Sequence, residues 1–206
     1  MIDLPAWEVF NKAAEQLSQS KIDFALCGGI AVQVYGRTRE TTDIDFLVCE
    51  TGVEDALIAL EKAGFEISRT DPKWLFQGFK NGVKVDLIFE AMGGIQLTPE
   101  VRAHTKEIEL GGYIYRVISP EDLIIMKAHS LNEERAKDLF DALSVIRGTE
   151  GGLDWDYFIE RSRSRLKRML ALLFFAQSDQ QTATHVPDWV IHSLIAYLPS
   201  LPSSGH

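Results

Sequence analysis

Apolar residues recur one helical turn apart at Trp7, Phe10, Ala14 and Leu17, behind Asp3 as a capping residue and Pro5 near the first turn, and this spacing predicts an amphipathic helix. Phe24-Ala25-Leu26-Cys27 is a short apolar run of buried-strand type. Gly28-Gly29 then turns the chain into Ile30–Tyr35, which is more helical than extended. Ile44, Phe46 and Val48 alternate with Asp43, Asp45 and Leu47, so the next element is a strand whose two aspartates share a face. Thr51 and Glu54 form a capping box before the stripe Val53, Leu57 and Leu60, and Gly64 stands where a helix end favours a left-handed residue.

Further on, Trp74–Lys80 and Val83–Phe89 are two strands joined by Asn81-Gly82, the dipeptide suited to a tight type I′ turn. A second hairpin is expected about Gly111-Gly112, between Ile108–Leu110 and Tyr113–Val117. Ser119-Pro120-Glu121-Asp122 then starts a helix, with a capping serine, a proline at the first position and acids in the first turn. From there the pattern is helical throughout. Its stripes are Leu139, Phe140, Leu143 and Ile146, then Leu166, Leu170 and Leu173, then Trp189, Leu194 and Leu198, before a Pro-Ser-Ser-Gly tail. The one linker-like break runs from Gly148 to Gly152. The expected organisation is α+β, a mixed β-sheet flanked by helices in residues 1–118 and a C-terminal helical region, 119–206, packed on that core.

Composition narrows the function classes. A chain of 206 residues, 46% hydrophobic and 25% charged, can bury one full core, and two large independent domains would be crowded. Thirty acidic against 21 basic residues give a net charge of -9, which argues against a broad phosphate-binding surface. The longest apolar stretch, Met169–Ala176, is too short to span a membrane. Cys27 and Cys49 lie in apolar runs without an activating motif, and polar residues interrupt the N-terminal segment where a secretion signal would lie. Both features point to a reduced, cytoplasmic setting.

The chemistry concentrates at three acids. Asp43 and Asp45, two apart on one strand face, present a pair of hard oxygen ligands for a divalent cation such as Mg2+, and two uncompensated carboxylates there repel each other until a cation balances them. Asp86, between Val85 and Leu87 on an independent strand, supplies a third. Three carboxylates from two strands could hold two ions, the layout for an in-line displacement at phosphorus. Gly28-Gly29 adds backbone N–H groups at a helix start, where a triphosphate can approach without meeting a side chain.

In that order, Leu26-Cys27-Gly28-Gly29, Arg37, Arg39, Thr42, Asp43-Ile44-Asp45-Phe46 and Asp86 resemble the signature of the polymerase-beta-like nucleotidyltransferase superfamily. Pro120-Glu121-Asp122-Leu123, Lys127 and Lys137-Asp138 are similar to small bacterial members, including toxin-like ones of the abortive-infection type. The likeness covers about the first three quarters of the chain. It implies a nucleotidyltransferase fold and transfer of an NMP group from an NTP to a hydroxyl acceptor. By the same resemblance Asp43 and Asp45 would bind two Mg2+ ions, or Mn2+, and Asp86 would complete the catalytic ion site and help deprotonate the acceptor. Gly28, Gly29, Arg39 and Lys127 would bind the nucleotide. Gly29 departs from the pattern, since many relatives carry serine there.

Lys127 shares a helix stripe with Leu123 and Leu131. It should therefore point inward, where it must meet a carboxylate or a phosphate unless its ammonium snorkels to solvent; the resemblance favours phosphate. Arg37 is read as a surface residue. Arg161, Arg163, Arg165, Lys167 and Arg168 could meet RNA or an acidic partner, and are read in preference as the solvated side of an amphipathic helix. The five histidines show no metal-ligand spacing, and His129 is read as an ordinary helix residue. Two other functions share the fold: a toxin that modifies tRNA and is neutralised by an antitoxin, and a catalytically idle nucleotide-binding module. A small-molecule acceptor such as an aminoglycoside also fits.

Overall fold

The computed structural model describes residues 4–198, the side chains of Leu4 and Pro5 excepted; Asp3 and the C-terminal tail lie outside them. Seven strands make one mixed sheet in the order β3-β4-β5-β2-β1-β7-β6. They are β1 (Phe24–Leu26), β2 (Asp43–Val48), β3 (Glu66–Asp71), β4 (Leu75–Lys80), β5 (Val83–Ile88), β6 (Lys106–Leu110) and β7 (Tyr113–Val117). The centre is set by β2, which runs antiparallel to β1 and parallel to β5. Both expected hairpins form. Asn81 and Gly82 have φ of 52° and 76°, and Gly111 and Gly112 of 59° and 84°, the left-handed pairs that a type I′ turn demands.

The pleat of β2 sorts its two faces. Phe46 is fully buried, stacked on Phe10 with ring centroids 6.1 Å apart and met edge-on by Phe24, so α1 (Leu4–Gln19) covers that side. Burying Phe10 there stabilises the fold by roughly 2–3 kcal/mol. Helix α3 (Val53–Lys62) extends the layer over β3, β4 and β5 through Leu57 and Leu60. Asp43 and Asp45 face the opposite side, where α2 (Gly28–Tyr35) packs on β2.

Helix α3 does not start in the expected capping box. A 3-10 turn, Glu50–Gly52, precedes it, Gly52 is the N-cap, and no side chain caps the end. Glu54 is drawn away by Arg69 of β3, with Nη2 2.6 Å from its carboxylate, while the Thr51 hydroxyl meets Cys49 Sγ. Gly64, φ 80°, closes the helix as expected. Two elements lack a strong sequence signal: edge strand β3, whose residues are all at least partly exposed, and α4 (Pro99–His104), which buries one residue, Val101. Thr98-Pro99 is nonetheless a start signature, and Thr98 Oγ1 accepts from Val101 N.

The remainder is helical, comprising α5 (Pro120–Ser130), α6 (Lys137–Gly148), α7 (Trp155–Ser162), α8 (Leu166–Ser178) and α9 (Asp188–Ala196). Ser119 caps α5 through Asp122 N. Gly148, expected in a linker, instead ends α6 against the Tyr35 carbonyl, and a Cβ there would collide with it. Phe140 and Trp189 are exposed rather than core residues. On α6 the inward arc is centred on Asp138, Asp141, Ala142 and Val145, and on α9 on Val190, Ile191 and Leu194, which leaves each aromatic outside. No helix among the described residues is long and apolar enough to cross a membrane.

Candidate active site

The parallel pairing of β2 and β5 decides the geometry of the acids. Asp45 lies opposite Asp86 and Asp43 opposite Lys84 in the register, while antiparallel β4 sets Gln77 beside Asp86 on the other flank. Directly paired residues project to the same face, so these five side chains form one polar patch on a sheet whose other face is core. Gln77 Nε2 donates to Asp86 Oδ1 at 2.7 Å, and Lys84 Nζ bridges Asp86 Oδ2 at 3.0 Å and Asp43 Oδ2 at 3.2 Å. Desolvation, and then the charge of Asp86, push the Asp45 carboxyl up from its ordinary value. That imbalance is what a cation would relieve.

Gly28 enters α2 with φ 57°, and a Cβ at this position would fall within the Asp45 carboxylate; the Gly29 N–H donates to Asp45 Oδ2 at 3.4 Å. The glycine turn and the acid pair are thus one unit. A cleft of about 600 Å3 is lined by Gly28, Gly29, Arg39, Asp43, Asp45, Asp86 and Lys127, so the residues expected from the sequence to hold metal and nucleotide border the same space. Its lining also includes the apolar side chains of Trp74, Ile88 and Met92. Among the described residues no three His, Cys, Asp or Glu side chains converge closely enough to form a finished ion cage, and the Lys84 ammonium lies between Asp43 and Asp86 instead.

Lys127 is buried, as its stripe requires. Its ammonium meets Asp138 Oδ1 at 2.9 Å and Asp141 Oδ2 at 3.1 Å, so carboxylates from α6 rather than solvent balance it. Asp141, fully buried, is shared by three cations: Arg37 approaches Oδ1 at 2.7 Å and Arg39 Nε lies 3.2 Å from Oδ2. Arg37 is therefore not a free surface residue. Asp138 and Asp141, with Lys84 and Gln77, are the cleft's charged and polar supports to which the sequence reading gave no role, although Lys137-Asp138 stood in the motif that carries the resemblance. The signal for the α6 pair was a carboxylate spacing of i, i+3 on a helix face otherwise apolar.

The basic cluster is largely the solvated face expected, with Arg163, Arg165, Lys167 and Arg168 exposed, but several of its side chains also bind the protein. Arg161 Nε donates to buried Asp122 at 3.1 Å, Arg163 meets Glu160 at 2.7 Å, and Arg168 Nη1 donates to the Ala128 and Leu131 carbonyls at the end of α5. Arg161 and Arg168 fasten α7 and α8 to α5. His129 is held neutral, its pKa lowered to about 4 by burial and then by Arg165 and Arg168. Cys27 is fully buried, and burial and Asp45 raise its thiol well above the usual range, which leaves it a core residue; Cys49 is only half-buried.

Comparison with solved structures places this architecture. The antibiotic-resistance factor ANT(2'')-Ia superimposes with a TM-score of 0.56 at 13% identity, over 84% of this chain and 97% of its own. The Thermotoga maritima protein TM1012, provisionally assigned as a nucleotidyltransferase, gives 0.52 at 19%, over 69% and 95%. The lincosamide antibiotic adenylyltransferase LnuA, bound to lincomycin, gives 0.50 at 16%, over 70% and 98%. These likenesses speak to the fold. No curated protein matches the chain by sequence. A family model does match, over residues 6–199. With that match, and with the fold of its structural neighbours, the chain belongs to the family described as nucleotidyl transferase of unknown function (DUF2204), a transferase family of the polymerase-beta-like nucleotidyltransferase superfamily.

Proposed function

We propose that the protein moves a nucleoside monophosphate from an NTP to the hydroxyl of a small acceptor molecule, with divalent metal held by Asp43, Asp45 and Asp86. One observation carries this reading: the in-register placement of Asp45 beside Asp86, with Asp43 on the same face and the Gly28-Gly29 turn hydrogen-bonded to Asp45. The donor set fits the group, because hard carboxylate oxygens suit Mg2+ or Mn2+ and Asp45, its pKa raised first by burial and then by Asp86, would be favoured as a carboxylate by a cation beside it. When bound, such ions would supply charge neutralisation on the triphosphate and a lower pKa for the acceptor hydroxyl.

The protein's own contribution is positioning. Gly28 and Gly29 keep the wall beside Asp45 free of side chains, so that phosphate oxygens can lie against backbone. Lys127 and Arg39, fixed by Asp141, set two cations on the α6 side of the cleft, where the leaving pyrophosphate would be stabilised. Asp86, partnered by the neutral Gln77 amide, is placed to receive the acceptor proton. A small acceptor agrees with the net charge of -9 and with a cleft of about 600 Å3 walled by Trp74 and Met92. The antibiotic adenylyltransferase among the neighbours supports the same choice.

The test is to incubate the pure protein with each α-labelled NTP and Mg2+ or Mn2+, offering hydroxyl-bearing antibiotics in one arm and cellular RNA in another. Label should move to a small molecule and stop on chelation. Label on RNA would redirect the assignment to a tRNA-modifying toxin, and no transfer or pyrophosphate release in any arm would defeat it. A Gly28→Ala variant probes the cradle. It should lose roughly 1–2 kcal/mol of stability from the left-handed backbone, seen in denaturant unfolding. Because the new methyl displaces the Asp45 carboxylate, transfer should fall on the order of a hundredfold or more; near-normal turnover would refute the coupling of turn and acid.

A further inference from the structure

The polar patch holds a group that the proposed reaction does not use. Lys84 stands two residues before Asp86 on β5 and opposite Asp43 on β2, so the pleat sends its side chain to the acid face. Its ammonium contacts Oδ2 of both Asp43 and Asp86, at 3.2 and 3.0 Å, and about two thirds of the side chain is withdrawn from solvent. The other oxygen of Asp86 is taken by Gln77. Of the neighbouring cations, Lys127 contacts Asp138 and Asp141, and Arg39 contacts Asp141, on the α6 side of the cleft. Lys84 is thus the cation that spans the two strands' acids.

We propose that Lys84 is a displaceable internal counter-cation. It neutralises Asp43 and Asp86 while metal is absent, and a divalent ion can use those oxygens only by expelling its ammonium. The inference rests on the reading of these acids as metal ligands. Two charges at about 3 Å attract strongly even near a protein surface, and a bridging ammonium contacts two carboxylates at once. The cost of breaking both contacts is therefore subtracted from every metal-binding event, and the residue sets the affinity downward. In return the strands are spared an uncompensated pair of carboxylates when no metal is present.

The experiment uses Mn2+ alone, titrated calorimetrically into the whole chain without nucleotide, for the wild type, Lys84→Met, Lys84→Arg and Asp86→Asn. Lys84→Met keeps the stem and removes the charge. It should bind Mn2+ about tenfold more tightly than the wild type, melt at a lower temperature without metal, and gain more thermal stability on adding it. Lys84→Arg keeps the charge and should stay near the wild type, which separates loss of the ammonium from loss of the residue. Mn2+ binding that depends on Asp86 but is no tighter in Lys84→Met overturns the role of Lys84 and leaves the metal reading standing. Absence of Asp86-dependent binding in both wild type and Lys84→Met overturns both.

Discussion

Asp86→Asn should reduce nucleotidyl transfer by on the order of a thousandfold or more, with little change in folding. The substitution is nearly isosteric, and Oδ1 can still accept from Gln77 Nε2, so the sheet keeps its hydrogen bond. What is lost is a negative oxygen at the junction of β2 and β5. Without it Asp45 keeps no acidic neighbour across the register, and the acceptor proton has no carboxylate to receive it. The expected signature is a fall in kcat with a modest change in KM for the nucleotide, since the glycine turn, Arg39 and Lys127 are untouched. Single-turnover transfer from labelled NTP, with circular dichroism as the folding control, measures it. Retention of a tenth of the wild-type rate would exclude Asp86 from the chemistry.

How far the sequence foretold this site follows from the range of each interaction. Alternation along Asp43–Val48 and the Asn81-Gly82 turn are local signals, and they were enough to put Asp43, Asp45 and Asp86 on core strands. That β2 and β5 are neighbours, and run parallel, is a tertiary fact with no local signature; it alone brings Asp45 beside Asp86. Lys127 shows the same limit. Its stripe predicted burial and the need for a counter-charge, but the partners come from α6, eleven and fourteen residues onward, and only the packing of α5 on α6 selects Asp138 and Asp141. Arg161 and Arg168 belong by spacing to the solvated helix face, because spacing registers where a side chain leaves the helix. It does not register the buried Asp122 carboxylate or the carbonyls of α5 that the side chain reaches. The failed capping box at Thr51 is a smaller case, in which an arginine on a strand with weak periodicity of its own captures Glu54.

Asp141 is where these long-range choices meet, and Asp141→Asn should be among the most destabilising single changes in the chain. Burial alone would raise the pKa of this carboxyl, yet Lys127, the Arg37 hydrogen bonds and Arg39 outweigh it and hold the group below the usual carboxylate value. Removing the charge leaves Lys127 buried with Asp138 as its remaining carboxylate and deprives both arginines of theirs. Breaking a buried pair on one side typically costs about 3 kcal/mol or more, which for a chain of this size lowers the melting temperature by roughly 6–12 °C. A folded pKa lower than the unfolded one means stability that is present above the unfolded carboxylate range, near pH 4, and is lost as the pH falls through the folded value. The gap between wild type and Asp141→Asn should therefore be widest at neutral pH and close on acidification. Adding Lys127→Met to Asp141→Asn should recover part of the loss, because it removes the cation left short of charge. Equal unfolding midpoints for wild type and Asp141→Asn at neutral pH would show that the arginines and Lys127 find other partners, and that the α6 side of the cleft is not held by this one carboxylate.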